Sequence, residues 1–211
     1  MFCLTVPTDA AWAHEAVRDL DGVLVDHAHC EMKAASNALS LAVRHPDDLA
    51  LVRALSELAR EELDHFERVV TYLERRHLSL GAPPVDEYAA ALRRAMNLLP
   101  RSDEASSSLV DRLLVSALIE ARSCERFKLM LAAMPQETPA DFRAFYEELF
   151  VAEARHYRTY VDLAVTAMRA TGKSASEAET YVDERLGAVA RAEGEIVARL
   201  ATGTERATVH G

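Results

Sequence analysis

The sequence predicts an all-α fold: a four-helix bundle with a long crossover between its second and third helices, and an additional C-terminal helix. Three observations carry this. Ala, Leu, Glu and Arg dominate the 211 residues, and these are strong helix formers. Gly and Pro number only 7 each, so few positions interrupt a helix. Those breakers cluster, at Pro46, from Gly81 to Pro84, from Pro135 to Pro139 and at Gly172, and they mark the ends of long amphipathic segments. Half the residues are hydrophobic, enough for a sizeable core in one domain.

The elements follow in order. Thr8 or Asp9 caps a first helix through the Trp12 region. The helix runs on, or kinks at Gly22, through DGVLVDHAHCEMKAASNALSLAVRHP to Pro46. Asp47 caps the next helix, which continues to about Leu78. The segment from Pro84 to Ser107 is the longest connection and holds a short helix near Tyr88 to Met96. A third long helix starts near Ser108 and ends before Pro135. A fourth spans Pro139 to Thr171, with Gly172 as its C-terminal cap. A fifth runs from about Ser174 to Leu200. Short loops make antiparallel neighbours, whereas a long second connection is the ferritin-like arrangement of a four-helix bundle. The expected domains are a bundle over residues 1–172, an additional helix over 173–201 packed on it, and a flexible tail over 202–211.

The chemistry sits on the four bundle helices. EELDHF (Glu61 to Phe66) and AEARHY (Ala152 to Tyr157) each hold Glu-x-x-His-aromatic. The spacing of three puts Glu62 and His65 on one helical face, and likewise Glu153 and His156. Both pairs are separated by the same 91 residues. The first and third helices also match: AHCEMKAA aligns with RSCERFKL, pairing Cys30 with Cys124 and Glu31 with Glu125. The chain therefore reads as a duplicated hairpin, with Glu on one helix and Glu-x-x-His on the next. One such pair in a charged helix is weak, since most are solvated surface. Recurrence opposite a Glu each time is a stronger signal.

Four carboxylates and two imidazoles suit a di-iron centre, because ferrous iron takes hard oxygen donors plus imidazole nitrogen. Two divalent cations also balance four buried carboxylate charges, which would otherwise be costly. The expected ligands are Glu31 and Glu125 as terminal donors, Glu62 and Glu153 as bridges, and His65 and His156. Glu120 is an open alternative to Glu125, because its helical stripe (Leu113, Ala117, Glu120, Cys124, Phe127, Leu131) is equally good. The repeat favours Glu125 and pairs Glu120 with Asp26; those two carboxylates would then hold the ligand histidines from behind. Tyr157 is expected to pack beside the site, and His27 and His29 to flank it. Cys30 and Cys124 read as small core residues and, with Cys3, as reduced thiols of a cytoplasmic protein.

The words around these residues carry a further resemblance. DHAHCEMKAA (Asp26 to Ala35), EELDHF, IEARSCERF (Ile119 to Phe127) and AEARHYRTY (Ala152 to Tyr160) together resemble the MiaE-type tRNA hydroxylases, over roughly Asp9 to Leu163. The resemblance implies a non-haem di-iron monooxygenase. It would hydroxylate the isopentenyl group of (methylthio-)isopentenyl-adenosine beside the tRNA anticodon, using O2 and electrons from an external reductase or ferredoxin-like donor. No Gly-rich strand-to-helix turn offers a flavin or nicotinamide site. A tRNA partner calls for cations near the site mouth: Arg122, Arg126, Arg155 and Arg158 beside the ligands, and Arg93, Arg94 and Arg101 in the crossover. The bland alternative is that these arginines pair with surface carboxylates.

Other classes are set against this. The net charge of −10 argues against a protein-wide nucleic-acid footprint but leaves room for a local basic patch. The N-terminal MFCLTVPTDAAW lacks the form of a secretory signal, and no apolar run is long enough to span a membrane. A ferritin- or rubrerythrin-like oxidase, peroxidase or iron-handling protein would use the same six ligands. Three scattered cysteines could not add the four-cysteine iron site of a rubrerythrin.

Overall fold

The computed structural model describes residues 2–100, 108–200 and 209. Among the described residues it is all-helical, with α1 (Ala10–Arg18), α2 (Leu20–Arg44), α3 (Leu49–Arg75), α4 (Glu87–Leu98), α5 (Ser108–Ala133), α6 (Ala140–Arg169) and α7 (Ala175–Leu200). Arg101, and the tail 202–211 apart from Val209, lie outside the described residues.

The helix ends have local causes. Asp9 Oδ1 accepts from Ala11 N at 2.8 Å to start α1. The chain breaks at Asp19, where the sequence suggested either a continuous helix or a kink at Gly22. Asp19 caps α2 by accepting from Gly22 N at 3.0 Å, and a Cβ on residue 22 would collide with that carboxylate. Glycine there makes room for the cap. Asp48, one residue beyond the expected Asp47, caps α3 through Leu51 N at 3.0 Å. α3 closes with His77 in the left-handed region, φ 56°, while Leu78 N donates to Leu73 O at 2.9 Å. Asp86 caps α4 through Ala89 N at 2.9 Å. Between α5 and α6, Arg143 donates to the carbonyls of Leu131, Met134 and Pro135, satisfying the open end of α5. Gly172, φ 97°, ends α6. Ser174 and Glu177 then bond reciprocally, backbone to side chain, as a capping box for α7.

The chain divides into two compact units. One comprises Glu15–Val85 with Arg206–Val209. Its body is the α2–α3 hairpin, packed along its length. Val23, Leu24, Ala35, Ala38 and Leu41 are buried on α2; Leu51, Leu55, Leu58, Val69 and Leu73 are buried on α3. The i, i+3, i+4, i+7 spacing of these residues is what the hairpin buries.

The other unit comprises Met1–His14, Asp86–Glu205 and His210–Gly211. Here α5 packs with α6, and α7 packs against α4, α5 and α6. The helix set apart in the sequence as an addition therefore lies within the same unit as α5 and α6. α5 is enclosed almost all round: residues 113–118 and 120–127 are all buried. The polar residues within that run must find partners, because an unpaired buried charge is costly. Gly194 on α7 marks a close approach. A Cβ there would stand 2.6 Å from Thr5 Oγ1 and 2.7 Å from Val6 Cγ2. Thr5 Oγ1 donates to Ala190 O at 3.1 Å, so the N-terminal segment lies directly on α7.

Candidate metal centre

The α2–α3 hairpin buries Glu31, Glu62 and His65, at 4%, 1% and 7% exposure. Ligand atoms of the three lie within 4.8 Å of one another. His65 Nδ1 is 3.5 Å from Glu62 Oε2 and 3.6 Å from Glu31 Oε2. The other oxygen of Glu31 is held from behind: His27 Nε2 lies 2.6 Å from Glu31 Oε1. His29 is engaged elsewhere, with its Nε2 3.0 Å from Leu80 O. The Asp26 carboxylate accepts from Val209 N at 2.6 Å and from Cys30 Sγ at 3.8 Å.

The electrostatics of this half are those of a cation site. Burial works to raise the Glu31 pKa, but the hydrogen bond from His27 and the nearby His65 imidazole hold it well below the usual carboxylate range. Burial likewise works to lower the His65 pKa. The bonds and charges of Glu31 and Glu62 outweigh it and push His65 up to about 10. In metal-free protein a protonated His65 therefore supplies the positive charge that two buried carboxylates require. A divalent cation would supply it instead.

The second hairpin buries a set of the same types. Glu153 and His156 are 3% and 1% exposed on α6, and Glu120 is 3% exposed on α5. Donor atoms of Glu120 and His156 lie within 4.8 Å of each other. Glu125, the ligand favoured by the repeat, is turned another way. Its Oε2 accepts from Thr8 Oγ1 at 2.7 Å and Thr8 N at 3.2 Å, and pairs with Arg122 Nη1. Glu120 is thus the α5 carboxylate beside a histidine, and Glu125 the one beside a guanidinium.

The arginines separate in the same way. Arg122 is fully buried, held by Glu193, Glu125, Thr8 Oγ1 and Val6 O. Burial disfavours its charge, but Glu193 and Glu125 more than restore it and raise its pKa. Arg126 is 6% exposed, with its guanidinium 5.2 Å from the Trp12 ring centroid. These two, expected near a nucleic acid, face the interior of their unit. Arg93, Arg94, Arg155 and Arg158 are exposed. Tyr157 is half-buried, its ring 4.4 Å from that of Phe2. Burial first, and then Cys3, raises its pKa. The Cys124 thiol donates to Phe150 O at 3.3 Å, and burial pushes it up to about 12. It is a core residue and not a thiolate donor.

Sequence reading missed Glu193 and the hold of His27 on Glu31. A signal for Glu193 existed. It continues the apolar stripe of Leu186, Val189, Ala190 and Val197 on α7, and a charge in such a stripe needs a buried partner.

The donor set fits iron. All of its atoms are carboxylate oxygen or imidazole nitrogen, with a buried Glu-x-x-His pair in each hairpin. Among the described residues no helix is long and apolar enough to cross a membrane.

Comparisons agree with this architecture. A solved structure, a Synechococcus protein with aldehyde deformylating oxygenase activity, is similar with a TM-score of 0.81 and 33% identity, over 100% of this chain and 96% of that one. The fold is accordingly all-α and ferritin-like, as the order of its hairpins and crossover predicted. A tRNA 2-(methylsulfanyl)-N(6)-isopentenyladenosine(37) hydroxylase of Pseudomonas putida (strain KT2440) is 44% identical over 161 residues, 76% of this chain and 74% of that one. One of the same name from Salmonella typhimurium (strain LT2) is 30% identical over 210 residues, with shares of 76% and 74%. The family model described as tRNA-(MS[2]IO[6]A)-hydroxylase (MiaE) matches residues 1–206. With its specific motifs lying in both hairpins, this chain belongs to the MiaE family.

Proposed function

We propose that this protein is a cytoplasmic tRNA hydroxylase, acting on the isopentenyl group of (methylthio-)isopentenyl-adenosine next to the anticodon. The observation that carries the reading is that each hairpin buries a donor set of the same types, Glu31, Glu62 and His65 on one and Glu120, Glu153 and His156 on the other, in a member of this family. The balanced reaction converts a C–H bond, O2, two electrons and two protons into C–OH and water. The electrons come from an external reductase or ferredoxin-like donor, because the chain offers no flavin or nicotinamide turn. When bound, a pair of iron ions would supply the activation of O2.

The protein's own residues do the rest. Glu31, Glu62, Glu120 and Glu153 offer oxygen donors whose burial keeps water from competing for the metal. His65 and His156 offer nitrogen donors three residues after a carboxylate, so one helical face orients both. Glu120 replaces Glu125 as the fourth carboxylate, because Glu125 is committed to Arg122 and Thr8. Arg93, Arg94, Arg155 and Arg158 are exposed, as contact with tRNA phosphates requires. Asp26 and Tyr157 stay outside the ligand set.

The test is mass spectrometry of anticodon-loop nucleosides after iron-loaded protein is incubated with prenylated tRNA, a chemical reductant and O2. The expected result is one added oxygen on the prenylated adenosine, absent with Glu62→Ala. An iron-loaded protein that adds none would overturn the substrate assignment and favour oxidase or iron-handling chemistry.

A further inference from the structure

We infer that His27 is a positioning residue for Glu31 and that it sets the α2–α3 donor set apart from that of α5 and α6; this rests on the metal-centre reading above. His27 is wholly buried, one turn before Glu31 on α2. Its Nε2 is 2.6 Å from Glu31 Oε1, whereas Glu31 Oε2 is the oxygen 3.6 Å from His65 Nδ1. An ionised carboxylate only accepts, so His27 Nε2 carries the proton and donates. One oxygen of Glu31 is thereby committed to His27, and the other is left facing the ligand side of His65. A carboxylate pinned in this way is a one-oxygen donor with a set direction. Released, it could rotate or offer both oxygens.

On α5 the residue one turn before Glu120 is Ser116, not a histidine, and α5 contains no histidine. Two half-sites with the same donor types therefore differ in the imidazole behind one carboxylate. Groups behind a ligand set its orientation and its basicity, so the two metal positions differ in how they depend on residue 27.

Titration of the metal-free protein with Co(II), an absorbing stand-in for Fe(II), tests this alongside the melting temperature of each variant. His27→Leu fills the space but cannot donate. His27→Gln can donate from about the same place, and His27→Asn has an amide that stops short. In His27→Leu and His27→Asn one of two binding steps weakens by about 10–100-fold, and the other changes little. His27→Gln recovers most of the loss at that step. Unchanged steps in the Leu and Asn variants would overturn the inference while leaving the metal centre standing. Equal weakening of both steps in all three variants would overturn it too, as the mark of a general packing role. A wild-type protein that takes up no Co(II) would instead remove the metal-centre reading, and this inference with it.

Discussion

The Arg122 guanidinium on α5 grips the Glu193 carboxylate on α7 through two hydrogen bonds of 2.9 Å, from Nε to Oε1 and from Nη2 to Oε2. Both side chains are completely buried. Tyr88 of α4 donates to the same carboxylate at 2.9 Å, and Arg122 also reaches Val6 O at 2.9 Å. One ion pair thus ties the N-terminal segment, α4 and α7 to the helix that carries Glu120. It also gives α7 a specific task, which the sequence motifs left undefined.

Removing one partner of a buried pair strands the other charge. Glu193→Ala is therefore expected to lower the unfolding free energy by about 3–5 kcal/mol, read from urea unfolding monitored by circular dichroism. Glu193→Gln keeps the acceptor oxygen and the shape, and should cost less. Equal stability of wild type and Glu193→Ala would show that the network is not what holds α7.

The contact at Gly194 makes a separate prediction. A methyl group there would stand within 2.7 Å of both Thr5 and Val6, well inside van der Waals range. Gly194→Ala gains helix propensity, but overpacking of this kind costs about 1–3 kcal/mol. The expected outcome is faster amide exchange around Val6 and Thr8 by mass spectrometry, with protection of α2 and α3 unchanged. Undiminished protection in the N-terminal segment would mean that the segment gives way without undocking.

The helices were legible because their signals are local. Pro46, the Pro135–Pro139 turn and Gly172 end helices wherever they occur, and Ser174 with Glu177 is a capping box visible in four residues. The two Glu-x-x-His pairs were legible for the same reason. The choice between Glu120 and Glu125 was not. Both lie on acceptable stripes, and the repeat points to Glu125. What separates them is Arg122, which reads as a surface cation until Glu193, 71 residues later, is known to lie against it. Arg122 and Arg126 were assigned toward nucleic acid for the same reason: burial on α5 comes from packing against α4, α6 and α7, which no local pattern reports.

That distinction can be tested directly. Glu120→Ala is expected to lose a large share of bound metal, measured by elemental analysis after anaerobic Fe(II) loading and desalting. Glu125→Ala should retain metal and lose stability, because it removes one of the two carboxylates on Arg122 and the acceptor of Thr8. The reverse pattern, with metal lost only in Glu125→Ala, would return Glu125 to the ligand set.

Protons and metal compete at His65, and the sign can be worked out. His65 has a folded pKa of about 10, raised from 6.5. In metal-free protein its contribution to stability is fully present below about pH 6.5 and is lost as pH rises through 10. Glu31 is shifted the other way. Its contribution is present above its ordinary value of 4.5 and is lost as pH falls through the lower folded pKa. The metal-free melting temperature should therefore hold best between these limits and fall on the alkaline side. Metal binding needs His65 deprotonated, so it must expel that proton. Co(II) affinity should then rise with pH, by up to about tenfold per unit between pH 6.5 and 8.5. Calorimetry in two buffers of different ionisation enthalpy should show protons released. If affinity proved flat over that range, His65 would be neutral in the metal-free protein, and the carboxylates would be drawing their positive charge from elsewhere.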